Sequence, residues 1–242
     1  MSKKIIEKQL EIAGVNFRLF QKRMRNLRLR IIAPHGEVRV SAPLRCSLVQ
    51  IKKFVLERID WIKKNQLEIR NRKIIAPLKF ISGEKHFIFG EEYLLEVVES
   101  DLKRVAKPLI IKDQVIELHI KKSLTKIKKS KILDNWHRTQ LKKIIPNLIA
   151  DYEAKMGVKV AEFGVKKMKT RWGTCSLQAR RIWINLELAK RPMKCLEFIV
   201  VHEMVHLLER NHNKRFYALM DKFMPDWKVW QNKLKESGAL SL

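Results

Sequence analysis

The chain has 242 residues, 46% of them apolar, enough for one large core or two small ones and too apolar for a disordered tail. Lysine and arginine number 52 against 25 acidic residues, and the net charge of +27 attracts nucleic acids, nucleotides and acidic surfaces, unless it is no more than solvated lysine in every segment. Cys46, Cys175 and Cys195 form no C-x-x-C pair, so neither a disulfide framework nor a thiolate cluster is expected. Reduced thiols fit a cytoplasmic protein. No signal-peptide core is evident, and the run Phe198–Val201 is far too short to cross a bilayer, so no membrane partner is expected.

Residues 9–43 alternate apolar and polar positions, as in "NLRLRII" and "EVRVSAP", and predict strands with one apolar face and one arginine face. Over 47–73 the spacing changes to that of a helix. Ser47 is a plausible N-cap, and Leu48, Ile51, Val55, Ile59 and Ile62 make a stripe, so one long amphipathic helix is predicted. Strands follow over 85–99, hinged on Gly90-Glu91, and over 108–121. Ser123 is read as the cap of a long helix to about 156, kinked or divided by Pro146 and ended by Gly157. "EFGVKKM" and "RRIWINLEL" read as strands around the turn-like "TRWGTCS". Pro192 opens the next helix, Asn213 caps another through Met224, and "PDWKVWQNKLKESG" gives a last short one. The predicted class is α+β, with a mainly β, basic region over 1–122 and a mainly helical half with a small sheet over 123–242.

The segment "VVHEMVHLLERNH" places three of the seven histidines and a glutamate within 13 residues. His202 and His206, four apart, project from one helix face and can share an ion. Glu203 leans beside them, free to take a proton from a metal-bound water. The flanking residues Leu196, Ile199, Val200, Met204 and Leu207 predict a buried helix, in which two imidazoles and a carboxylate are costly unless satisfied together. A third ligand is needed. His212 reaches the ion only if the helix ends and the chain folds back, which Asn211 favours through a left-handed conformation. Glu209 is the rival ligand, but on the same helix it points away, so His212 is preferred. The metal expected is one Zn2+, because imidazole suits it, although nickel, iron or manganese use the same donors. His35, His86, His119 and His137 are read as surface or core residues.

In order, "MKTRWGTCS", "RIWINLELAKRP", "VVHEMVHLLERNHNKRFYALM" and "PDWK" resemble the YgjP-like family of predicted zinc metallopeptidases, related to the SprT-like and WLM groups. With "FVLERIDWIKK" and the N-terminal strands, the resemblance covers nearly the whole chain. It implies His202, His206 and His212 as ligands, Glu203 as general base, and a compact zincin-like half over 123–242. The histidine spacing equals that of metzincins, but Glu209 stands where they place glycine and no Met-turn is evident. In the "TRWGTCS" block, Gly173 allows a tight turn, Trp172 is a candidate cleft wall, and Arg171 a candidate oxyanion or phosphate binder. Trp183 and Asn185 are further cleft candidates on a strand whose free edge would hold an extended peptide. Tyr217 is a candidate transition-state donor.

Three functions compete. The leading one is a zinc hydrolase acting on peptides or proteins. A second is metal-dependent hydrolysis of a nucleoside triphosphate, favoured by Arg171, Lys166, Lys167 and Lys169 but lacking a P-loop or paired-carboxylate magnesium site. The third is nonspecific nucleic-acid binding around a structural or vestigial zinc, through the arginine face of 18–30 and "KKSLTKIKKSK" at 121–131. Sequence leaves the oligomeric state open.

Overall fold

The computed structural model describes residues 5–32, 35–71, 78–100 and 107–236. Residues 33–34 of the expected "APHGE" turn, the end of the helix predicted to 73 and the tail beyond 236 lie outside them. By internal contacts the chain forms two compact units, Met1–Ala76 and Pro77–Leu242. The described residues make an α+β structure of six helices and three small sheets.

In the first unit, β1 (Ile6–Ile12), β2 (Val15–Lys22), β3 (Arg28–Ile32) and β4 (Glu37–Pro43) form a sheet in the order β1-β2-β4-β3. Period-2 alternation buries Phe17 and Leu19 with Val38 and Val40 against Ile51, Val55 and Ile62 of the helical segment. The single long helix predicted over 47–73 is two helices, α1 (Leu48–Leu56) and α2 (Ile59–Asn71). No proline or glycine announces the break. It is a tightened turn in which Arg58 N–H donates to Val55 O at 3.0 Å. The Arg58 guanidinium donates to the Phe54 carbonyl at 3.0 Å and lies 4.0 Å from that ring, so the freed carbonyl has a partner. Ser47 does cap α1, in a reciprocal box with Gln50.

In the second unit each predicted strand region is a hairpin. The strands are β5 (Lys85–Ile88), β6 (Glu91–Ser100), β7 (Leu109–Lys112) and β8 (Val115–Lys121), in the order β5-β6-β8-β7. Phe89-Gly90 turns the first hairpin, and Asp113-Gln114, at φ of 46° and 62°, turns the second. The long helix α3 (Lys126–Met156) starts at Thr125 rather than Ser123, and it runs undivided through Pro146. Pro146 and Lys142 are both exposed, so water can serve the Lys142 carbonyl that loses its partner, while Ile145 and Ile149 stay packed in the core on either side. Gly157 ends it in a left-handed C-cap.

The composition-based boundary at 122 falls inside the second unit. Leu133 of α3 packs with Leu95, Ile116 and Leu118 of the β5–β8 sheet, while Leu141 to Met156 enter the core that holds the histidine helix. One helix thus spans both layers. Phe89 N–H also donates to Ala189 O at 2.8 Å. That core further contains β9 (Glu162–Lys166), β10 (Gly173–Ser176), β11 (Arg181–Asn185), a 3₁₀ turn over Leu186–Lys190, α4 (Met193–Val205), α5 (Lys214–Phe223) and α6 (Trp227–Glu236). The segment expected to be a turn, "TRWGTCS", contributes a strand, and the sheet order is β10-β11-β9.

Candidate metal centre

Helix α4 is buried from Cys195 to Val205, with only Glu197 half-exposed among them. His202 and Glu203 lie in its last turn, and His206 occupies the C-cap with helical φ and ψ. Beyond it the chain reverses through short turns. Leu207 and Leu208 N–H donate to Met204 and Val205 O, and Asn213 N–H donates to Asn211 O at 2.8 Å. Asn211 is not left-handed as expected: none of residues 206–213 has a positive φ. The Glu209 carboxylate instead accepts from Asn211 N–H at 3.2 Å, and its carbonyl faces His206 Nδ1, also at 3.2 Å. Glu209 therefore braces the reversal, and it is not among the donor groups that converge. With Nδ1 of His206 donating to that carbonyl, Nε2 is left for an ion.

The reversal returns His212 to the helix face. His212 Nε2 and His202 Nε2 are 3.1 Å apart, and one donor atom from each of His202, His206 and His212 lies within 4.8 Å of the others. Zn–N bonds of about 2.0–2.1 Å in a tetrahedron put nitrogens about 3.4 Å apart, so the cluster fits such an ion. Burial, then His206 and His212, push the His202 pKa down to about 3, which keeps the imidazole neutral as a ligand must be. Phe216, buried on α5, lies under all three rings at centroid distances of 5.0, 4.8 and 4.7 Å. It belongs to the core cluster and floors the site as well. A phenylalanine four residues after the last histidine is weak evidence until the reversal is known.

Glu203 is 5% exposed, and burial raises its pKa to about 8, with Arg171 drawing it back down. A β-carbon on Gly173 would sit 2.5 Å from Glu203 Oε1 and 2.8 Å from Cγ. Gly173 does not have a positive φ, so its glycine is required by the carboxylate and not by a turn. The three histidines, Glu203 and Arg171 open onto a hollow of about 740 Å³ whose other wall is the strand segment 173–176. Arg210, which sequence reading passed over, lines it as a second cation. Burial and Glu203 hold the Cys175 thiol up at about 11, so it is no thiolate ligand at neutral pH.

The remaining candidates fall elsewhere. Trp172 is 1% exposed, packed in the core, and walls no cleft. Trp183 lies over Gly164, where a β-carbon would be 2.2 Å from its ring, with Lys166 Nζ 4.4 Å from the ring centroid. Asn185 is fully buried and works on backbone: Nδ2 donates to the carbonyls of Met168 at 3.0 Å and Arg171 at 2.7 Å, while Oδ1 accepts from Met168 and Glu187 N–H. It pins the loop that carries Arg171. Tyr217 stacks between Trp227 and His212 and does not line the hollow. Nor does β11 offer a free edge, since β10 pairs with it on one side and β9 on the other. The edge strands are β10 and β9, and of the two it is β10 that lines the hollow.

No curated protein matches the chain. Among solved structures it is similar to the metallopeptidase zymogen of Pyrococcus abyssi abylysin, at 15% identity and a TM-score of 0.37, over 39% of this chain and 95% of that one. It is similar also to the metallopeptidase zymogen of Methanocaldococcus jannaschii jannalysin, at 15% identity and a TM-score of 0.35, over 38% and 95%. No described helix is long and apolar enough to cross a membrane. The model of the YgjP-like metallopeptidase domain matches residues 25–237, and with that span the chain belongs to the YgjP-like family and is an enzyme of the metallopeptidase type.

Proposed function

We propose that the chain hydrolyses peptide bonds with one zinc ion held by His202, His206 and His212 and with Glu203 as general base. The carrying observation is the meeting of three imidazole donors beside a buried carboxylate at the wall of an open hollow. When bound, the ion supplies Lewis acidity toward water and toward a scissile carbonyl oxygen. A structural zinc would have four protein ligands and no opening. Among the described residues only three converge here.

Glu203 accepts the proton of the attacking water on a carboxylate oxygen and returns it to the leaving amine. Its buried position gives it a proton affinity suited to both steps near neutral pH. Edge strand β10, along the same hollow, is positioned to pair with an extended peptide, which replaces β11 in that role. Arg171, its loop fixed by Asn185, is poised to stabilise the developing oxyanion.

Metal analysis and peptidase assays test this reading together. Glu203→Gln is expected to retain zinc and lose about 10²–10⁴-fold in kcat, and His212→Ala to lose zinc. An active Glu203→Gln protein would remove the proposed base. A second reading, hydrolysis of a nucleoside triphosphate at the same centre, is favoured by Arg171 and Arg210 in the hollow. Turnover of nucleotides but not of casein would select it.

A further inference from the structure

The first unit carries a second concavity that the hydrolytic reading does not use. Its sheet buries one face under α1 and α2 and leaves the other open. Register brings like charges together there. Arg18 pairs with Arg39 across β2 and β4, and Arg30 pairs with Arg39 across β3 and β4, so three arginines form one row. In the neighbouring row Ser41 stands between Phe20 and Arg28. Like charges directly opposite on a sheet are destabilising, so this face is not arranged for stability.

The acids present offset only part of it. Arg18 is held by Glu7 and by Glu37 at 3.3 Å, and Arg39 by Glu37 at 2.9 Å. Among the described residues no acid pairs with Lys22, Arg25, Arg28 or Arg30. A hollow of about 460 Å³ opens on this face, lined by Lys22, Arg25, Arg28, Arg30 and Arg39 around Phe20, with no acidic residue in its wall.

The geometry points to a binding groove for single-stranded nucleic acid, the arginines taking backbone phosphates and the Phe20 ring stacking a base. Five cations in the lining, of which only Arg39 has an acid partner among the described residues, favour a polyanion over a neutral or mixed-charge partner. Phe20, a half-buried ring in the wall of the hollow with the Arg18 guanidinium 5.5 Å from its centroid, selects an unpaired strand, because the bases of a duplex are stacked on one another and cannot reach it. The net charge of +27 by itself would give weak binding anywhere on the surface, so the test must separate the groove from bulk charge.

Fluorescence anisotropy of the full chain with a labelled mixed-sequence DNA strand of about 20 nucleotides, and with its duplex, makes that separation over about 50–300 mM salt. The Arg28→Gln/Arg30→Gln pair is expected to weaken single-strand binding about tenfold or more and to flatten the log–log salt slope by about 1.4, which is two phosphate contacts. Lys63→Gln/Lys64→Gln, exposed on α2 beyond the buried face, removes the same charge and is expected to change affinity less than about twofold. Phe20→Leu should cost about fivefold for the single strand and leave the slope alone. Should the strand pair melt early, Arg25→Gln in the loop carries the charge arm. Equal losses from the arginine and lysine pairs would overturn the groove. Equal affinity for the duplex with no effect of Phe20→Leu would overturn its choice of single strands.

Discussion

Gly173→Ala is the sharpest test of how the site is built. The new β-carbon would meet Glu203 at 2.5 Å from Oε1, 2.8 Å from Cγ and 2.9 Å from Cδ, far inside van der Waals contact. Backbone conformation adds no penalty, because φ at 173 is not positive. Overpacking of this kind costs about 1–3 kcal/mol, offset by about 0.4–1 kcal/mol from a less flexible unfolded chain. The net loss of about 1–2 kcal/mol lowers Tm by about 3–6 °C in a unit of this size. A carboxylate moved by about 1 Å costs about 100-fold in kcat. In a Glu203→Ala background the colliding atoms are gone, so the same change should become neutral or slightly stabilising. Melting curves of the four proteins in the cycle give the coupling, expected at about 2 kcal/mol. The same Tm loss in both backgrounds would show that Gly173 serves something other than Glu203.

Asn185→Ala removes four hydrogen bonds to part-buried backbone and is expected to cost about 3 kcal/mol, read by thermal melting, with metal content retained and kcat reduced as Arg171 loosens. Phe216→Leu leaves the three imidazoles without their common floor and should weaken metal binding about tenfold, measured by competition with a chelator. His137 is buried, its Nδ1 has no hydrogen-bond partner among the described residues, and burial lowers its pKa from 6.5 to about 4. The unfolded chain therefore binds the proton more tightly, and up to about 3 kcal/mol of stability is lost as pH falls from 6.5 to 4. Denaturant titrations of the metal-loaded protein should show that loss, and His137→Leu should flatten it. An unchanged pH dependence in His137→Leu would contradict the assignment.

What could be read from the chain followed from local rules. Alternation in "NLRLRII" and "EVRVSAP" located β3 and β4 because one face of that sheet is buried, and Ser47, Gly157 and Asn213 marked caps because each satisfies an orphan backbone group locally. His202, Glu203 and His206 were visible as one helical turn. The failures share another cause: they depend on partners distant in sequence. Asp113-Gln114 turns a hairpin without glycine, and the break at Arg58 is completed by its own side chain on Phe54. Trp172 and Asn185 looked like cleft residues because polarity and ring size are ambiguous until the fold assigns them to core and to loop support. The boundary expected at 122 followed a composition change, whereas α3 belongs to two layers at once.

Two of the sequence blocks that carry the family resemblance, "MKTRWGTCS" and the histidine helix, make one site, and Glu203 is where they meet. An ionised carboxylate in a helix buried on nearly every side is unfavourable, and here burial raises its pKa to about 8 even with Arg171 lowering it. Each relevant member of "RWGTCS" answers to that problem. Gly173 vacates the volume the carboxylate occupies, Arg171 supplies the one charge that favours its ionised form, and the Cys175 thiol stays protonated beside it. Trp172, in the core, fixes the strand from which the others act, and Asn185 fixes the loop before it. A block of this kind is needed wherever a carboxylate is held inside a core and not on its surface. The residues around a buried carboxylate are therefore as constrained by its charge as the three converging histidines are by geometry.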